Sequence, residues 1–390
     1  MSATNSTPAA APAQVNMANL RGGIEYASQW TLMWYRFRKH KLALVSMFIV
    51  LALYLMALVS EFLAPFNPED ALRAGGEAKA KAYHPPQMIH LFDTSGGSVS
   101  LSPYVDRLRE TVDPNTLRKT YVSDDDKKIY LSFFTRGFEY KLFGLVKTDL
   151  HLFGPSKQGD VFYLFGSDRN GRDMFSRVIY GGRFTLSLGL IGVLLSVFLG
   201  ILLGGISGYY GGKIDWFIQR LVEFIISLPT IPIWLAMASA LPKNWPPQYQ
   251  YMAVTVIISL IGWTQLARVV RGRFLAMRSE VFVVAAQLDG CSEGRVIFRH
   301  MLPSLASHII AAVTLAIPMM ILAETSLSFL GLGLQPPAIS WGVLLKEAQN
   351  IRSIAQAPWL FIPGAAVVIA VLALNFMGDG LRDAADPYSH

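Results

Sequence analysis

Cysteine occurs once among 390 residues, as Cys291, so the chain can form no internal disulfide and no cysteine-based metal centre by itself. Charge is scarce as well. Asp, Glu, Lys and Arg make up 16% of the residues, where soluble domains carry roughly 25%. No glycine-rich phosphate loop ending in Lys-Ser or Lys-Thr occurs, which excludes the commonest ATP-binding device. The nearest approach, residues 208–212, has the wrong spacing and reads as a tight turn. His300 and His308 stand apart from other ligand types, and no metal is expected at either. No nucleophile, base and metal-ligand set converges in the pattern, so no catalytic residue is assigned. A basic, aromatic-interleaved patch is missing, which excludes nucleic acid as a partner.

What is present is apolar. Hydrophobic residues reach 52% and the mean hydropathy is +0.37. These values predict an all-α polytopic membrane protein in contact with lipid. A helix crosses a bilayer with about twenty apolar residues. Six stretches qualify: 42–62, 184–207, 221–241, 251–270, 305–330 and 359–377. Pro229 and Pro232 predict a kink in the third, and Pro318 lies inside the fifth. The first reads as an uncleaved anchor. Its core is too long for a signal peptide, no small-residue cleavage site follows, and five spans come after it.

The net charge of +7 serves topology. Arg36, Arg38, Lys39 and Lys41 precede the first span and place the N-terminus in the cytoplasm. Six spans return the C-terminus to the same side. The loop between spans four and five carries Arg268, Arg271, Arg273, Arg278, Arg295 and Arg299, and lands inside as the span count requires. Loop 242–250 has one lysine and lands outside. The organisation expected is a disordered cytoplasmic tail over 1–29, a lead-in and first span over 30–63, an external insert and elbow over 64–183, and a five-helix core over 184–390 with a polar loop at 271–303.

The insert is mostly polar. Asp124 to Asp126, followed by Lys127 and Lys128, reads as a solvated turn. Residues 129–134 and 138–143 are short and aromatic-rich, with Arg136 and Gly137 between them, which predicts a hairpin in a small β-containing subdomain. Such a unit would either cap the span ends or dock an external delivery protein.

The polar loop is the most structured of the connections. Residues 282–288 are apolar and contain Ala285 and Ala286, small enough for another surface to approach. Gly290 breaks the helix after Asp289. Ser292 can cap a second helix. Ile297, Phe298, Met301 and Leu302 then form an apolar stripe, with Arg295 and Arg299 on another face. His300 precedes Met301 and Leu302, and Pro303 opens the fifth span. Upstream, Asp168 starts a turn that Gly171 completes. Asp173 stands near a helix start, with Arg177 four residues on and able to pair with it. Arg172 lies between them. The plainest reading of 165–183 is a structural elbow on the membrane surface.

The pattern Ala285, Ala286, Gly290, His300, Met301, Leu302, Pro303 resembles the signature loop of ABC importer permeases. That signature opens with a glutamate where this chain has Val284. Residues 165–189, 323–337 with Trp341 and Gly342, and 375–387 resemble the peptide-type branch, which includes oligopeptide, dipeptide and nickel permeases. The resemblance covers about 30–63 and 165–387 and omits most of the insert. It implies the type I importer permease fold in a bacterial inner membrane. It implies that the loop, through Ala285, Ala286, Asp289, Gly290, Arg295, Arg299, His300 and Pro303, docks on a cytoplasmic ATPase. A second similar permease, two ATPase subunits binding ATP and magnesium, and an external substrate-binding protein are the implied partners. This chain itself would need no cofactor. Short peptides are the implied cargo; nickel complexes, opines and oligosaccharides also travel through this branch.

Glu324 lies inside a span, where a carboxylate costs about 2.5 to 3.5 kcal/mol on insertion scales. It is a pathway candidate, or else it is hydrogen-bonded to Ser326, Ser328 or a neighbouring helix. A secondary transporter would show more intramembrane charge than this one residue and the prolines.

Overall fold

The computed structural model describes residues 29–72, 81–93, 100–112, 119–142, 144–242, 244–350 and 357–385. The tail expected over 1–29 and the last five residues lie, but for Gln29, outside the described residues. Helix α1 (Gln29–Lys39) leads into α2 (Lys41–Leu58). The break falls at His40, whose Nδ1 accepts the Ala43 N–H at 3.1 Å and so caps α2. A single turn, α3 (Ser60–Leu63), ends the first span.

Helix α4 (Met174–Tyr210) has 37 residues. At 1.5 Å per residue it is about 55 Å long, far more than the roughly 30 Å of hydrocarbon. The boundary expected at 183 is therefore corrected. Residues 174–183 are not a separate elbow but the opening turns of the span helix, because Asp173 caps it there. Helices α5 (Gly212–Ser227) and α6 (Thr230–Ser239) meet at 88°. Leu228 precedes Pro229 and adopts ψ 137°, the extended region a residue before proline prefers. Helix α7 (Pro247–Met277) follows, then α8 (Val281–Leu288), α9 (Glu293–Arg295), a π-helical stretch Val296–Met301 and α10 (Leu302–Ser304). The chain closes with α11 (Ala306–Phe329), α12 (Trp341–Ala348), a 3-10 turn Pro358–Phe361 and α13 (Ile362–Ala385).

Among the described residues, five helical segments are long and apolar enough to cross a membrane, or six if the bent α5–α6 pair is one span. Their shared core includes Val50, Leu186, Leu188, Ile258, Ile321, Trp341 and Leu374. Helices α4 and α7 pack tightly through glycines. A Cβ on Gly204 would meet the Ala267 carbonyl oxygen at 2.5 Å, and one on Gly208 the Arg271 carbonyl at 2.7 Å. Small residues thus let two backbones touch where lipid supplies no hydrophobic drive. Helix α1 folds back on the end of α13, burying Phe37 beside Ala43 and Ala384.

The insert is a four-stranded antiparallel sheet in the order β1 (Ile89–Asp93), β2 (Ser100–Val112), β3 (Lys119–Leu142), β4 (Val146–Pro155). The hairpin predicted about Arg136 and Gly137 is corrected. The first aromatic run and the second as far as Leu142 belong to β3, and β4 begins at Val146, past Gly144 at φ +73°. Arg136 instead marks a bulge against β4. The Asp124 segment is likewise an irregularity of strand pairing, not a turn: Asp106 pairs with Lys128 but Leu108 with Ser123, so the intervening residues bulge out.

Candidate functional site

Two ends of the helical bundle concentrate polar chemistry. At the arginine-rich end, α8 lies across a shelf made by Tyr209, Val270 and Phe274. It buries Val283 and Ala286 there and exposes Val281, Val284, Ala285 and Leu288. Those exposed positions fall at i, i+3, i+4 and i+7, one face of a helix. Val281 and Leu288 are each 82% exposed. Asp289 ends α8, and Gly290 turns the chain at φ +77°, a conformation that disfavours any side chain. Ser292 occupies the expected N-cap position, but its side chain makes no capping bond.

The stripe expected from Ile297, Phe298, Met301 and Leu302 is corrected. Val296 and Met301 are fully buried while Phe298 is 62% exposed. The stretch is π-wound, so residues five apart share the inward face. Arg295, Arg299 and Pro303 are exposed, and His300 is half-buried. The shelf beneath is braced by a group that sequence reasoning missed. The Arg271 guanidinium grips Asp215 with two bonds, one of 2.6 Å, and Ser207 donates to the same carboxylate. Arg271 had stood out only as a topology marker, and nothing in the sequence joins it to a residue 56 positions away.

At the opposite end, the 165–173 loop forms a buried ionic cluster. Asp168 Oδ1 accepts the Asn170 and Arg172 backbone N–H groups at 2.8 and 2.9 Å, closing the turn through Gly171 at φ +77°. Its Oδ2 accepts Arg172 Nε at 2.6 Å and also Arg177 Nη1. Arg177, 1% exposed, reaches on to Glu347 Oε2 at 2.8 Å. The expected Asp173–Arg177 pair does not form. Asp173 turns back to accept the Ser176 N–H and hydroxyl at 2.8 and 2.6 Å, and burial pushes its carboxyl up to about 6. Its capping role and the ionic cluster are separate. Glu347, on α12, had no sequence signal.

Glu324 lies fully buried between α4, α11 and α12. Its carboxylate accepts hydroxyls from Ser328 and Ser340, both at 2.8 Å, and from Thr185 at 3.2 Å. Ser326 bonds the Leu322 carbonyl instead. Thr185 also receives the Trp341 N–H, so one polar knot fastens three helices.

Residues 196–388 match the family described as the binding-protein-dependent transport system inner membrane component, and residues 28–86 the N-terminal TM domain of oligopeptide transport permease C. A permease protein of Brucella ovis is 39% identical over 241 residues, covering 61% of this chain and 78% of that protein. The oligopeptide transport system permease protein OppC of Haemophilus influenzae is 35% identical over 241 residues, 62% of this chain and 75% of that one. OppC of Bacillus subtilis is 32% identical over 260 residues, 66% and 80% of the two chains. A structure of the inward-facing methionine ABC transporter MetNI covers 55% of this chain and 98% of its own, at 16% identity and a TM-score of 0.43.

Proposed function

Since the chain belongs to the binding-protein-dependent transport system inner membrane component family, we propose that it is the permease subunit of an ATP-driven importer of short peptides and takes its energy from separate ATPase subunits through residues 281–303. Relatives named as oligopeptide and dipeptide permeases support the cargo. The observation that carries the coupling is the apolar face of α8. Val281, Val284, Ala285 and Leu288 stand in solvent on a segment flanked by arginines. An apolar stripe of that kind is stable when a protein partner covers it. The buried side of the same helix rests on the ends of α4 and α7. A push on α8 is therefore passed directly to two spans, because packed cores transmit displacement.

Partner ATPases bind and hydrolyse ATP, and this chain contributes the shape they act on. Ala285, Ala286, Asp289, Gly290, Arg295, Arg299, His300 and Pro303 form or frame the docking surface. Counting α5 and α6 as one span gives six, with the arginine-rich end and both termini in the cytoplasm. A second permease completes the pathway, and an external binding protein delivers the peptide. Glu324, with three hydroxyl donors, holds α4, α11 and α12 together on the pathway side of the bundle rather than meeting cargo in this conformation.

The test uses Leu288→Glu and Gly290→Trp in the assembled transporter. Leu288 is 82% exposed, so its replacement leaves the fold alone. Peptide uptake should fall at least ten-fold, with the chain still inserted and the ATPases lost from, or uncoupled in, the purified complex. Uptake at the parental rate in both variants would remove the coupling role from this loop.

A further inference from the structure

The insert lies mostly between the two family-matched stretches, in residues 87–195. From its geometry we infer that the β3–β4 hairpin is a membrane-surface anchor. Its tip, Gly144 to Val146 with Lys141 and Lys147 behind it, is seated among phospholipid headgroups beside the first span. This rests on the span assignment of α2 and α4 and not on the coupling role of α8.

The direction of the ribbon comes from its contacts. At its base, Phe153 packs on Phe175 in the first turn of α4, with ring centroids 5.6 Å apart. Further along, Gly137 faces the Pro65 carbonyl. At the same level the His151 ring packs against Gly137, its Nδ1 3.1 Å from the Glu61 carbonyl oxygen, and toward the tip the Tyr140 ring follows at 5.0 Å from that of His151. The partners thus descend α4 from its start toward Arg183, which is ion-paired to Glu61. Arg183 is the last charge before the uninterrupted apolar run that begins at Phe184. Gly144 lies four residues beyond Tyr140, at most about 13 Å at 3.3 Å per residue. That length reaches the headgroup and acyl boundary, where interfacial segments bury roughly 5–10 Å.

The tip has the chemistry of that boundary. Leu145 is 85% and Val146 62% exposed. Water gives no reason to present them, and Leu51, Leu55 and Leu58 of α2 are likewise exposed, as a lipid-facing surface is. Directly behind the turn, Lys141 pairs with Lys147 across the strands. Like charges placed opposite each other destabilise a hairpin. Neither forms an ion pair among the described residues. A phosphate between them turns repulsion into two charge-assisted contacts. Lysines flanking an apolar tip also reach outward to headgroups while the tip sinks.

The experiment uses the full chain in liposomes of phosphatidylcholine and phosphatidylglycerol, in a Cys291→Ala background. Leu145→Cys is labelled with a small fluorophore and challenged with brominated phospholipid or with aqueous iodide. Leu55→Cys on α2 and Leu101→Cys on β2 are the lipid and water references. Bromolipid should quench the Leu145 label at least three-fold more than the Leu101 label, and Lys141→Ser with Lys147→Ser should reduce that quenching about two-fold in anionic vesicles. Quenching no greater than at Leu101 overturns the inference. Protection from both quenchers also overturns it, because a protein then covers the tip. A Leu55 label that escapes bromolipid would overturn the span assignment itself, and the anchor with it.

Discussion

Arg177 shows how far a side chain's role can depart from its sequence neighbourhood. Its spacing suggested a helical pair with Asp173, yet it joins Asp168 to Glu347, 170 residues away. Removing one member of a buried ionic group leaves the others charged and unpaired, at about 3–5 kcal/mol. Arg177→Met should therefore lower the thermal unfolding midpoint of the purified chain sharply, and Arg172→Lys, at a half-buried position, much less. Glu324 makes a contrasting case. Glu324→Gln keeps an oxygen acceptor among three rotatable hydroxyls, so folded yield and peptide uptake should stay within about two-fold of the parent. Glu324→Leu strands Thr185, Ser328 and Ser340 and should cost about 1–3 kcal/mol. Loss of uptake by the Gln variant at full folded yield would instead assign the carboxylate to the pathway. In the sequence Glu324 was visible as an intramembrane charge and Ser328, one turn on, as a partner; Ser340 and Thr185 were not, since they lie on other helices.

At the scale of elements, the helix pair α4–α7 and the insert respond to different tests. Gly204→Val would drive a branched side chain into the Ala267 backbone, which cannot yield as a flexible side chain would. The expected cost is about 1–3 kcal/mol, seen as reduced thermal stability in detergent. In the insert, His84 packs against Tyr121 and Tyr163, and burial lowers it from 6.5 to about 4. The unfolded chain takes up this proton near pH 6.5 and the folded insert only near 4. Stability is therefore full above pH 6.5 and declines as the pH falls through that window, by up to about 3 kcal/mol. Thermal melts between pH 4 and 7 should show the slope, and His84→Gln should flatten it. Five of the six expected spans were legible because each needs only a local apolar run, while the third is broken at Leu228 into helices at 88°. The hairpin was misplaced because a strand of 24 residues, β3, serves different partners along its two halves, and no local pattern marks the change.

For the whole molecule, charge distribution orients the bundle. The arginines at 268–299 gather at the end opposite the insert, the end proposed above to face the cytoplasm under the positive-inside rule. In the Cys291→Ala background, Lys157→Cys should react with an impermeant maleimide in spheroplasts, and Arg278→Cys only after lysis. The reverse pattern would invert the topology and detach the loop from any cytoplasmic ATPase. The sequence by itself determined that the chain crosses the membrane, which end is cationic and which loop carries the small-residue turn at Gly290. Those properties are set within a few residues, by apolar length, by lysine and arginine counts and by a backbone angle that glycine alone favours. Only the tertiary structure decided which face of α8 remains uncovered, that a π-wound stretch turns Val296 and Met301 inward, that Asp215 braces Arg271, and that the β3–β4 hairpin packs on Glu61 and Phe175. Each of these depends on distant segments meeting, and the energy of such contacts belongs to pairs of residues that the chain order does not bring together.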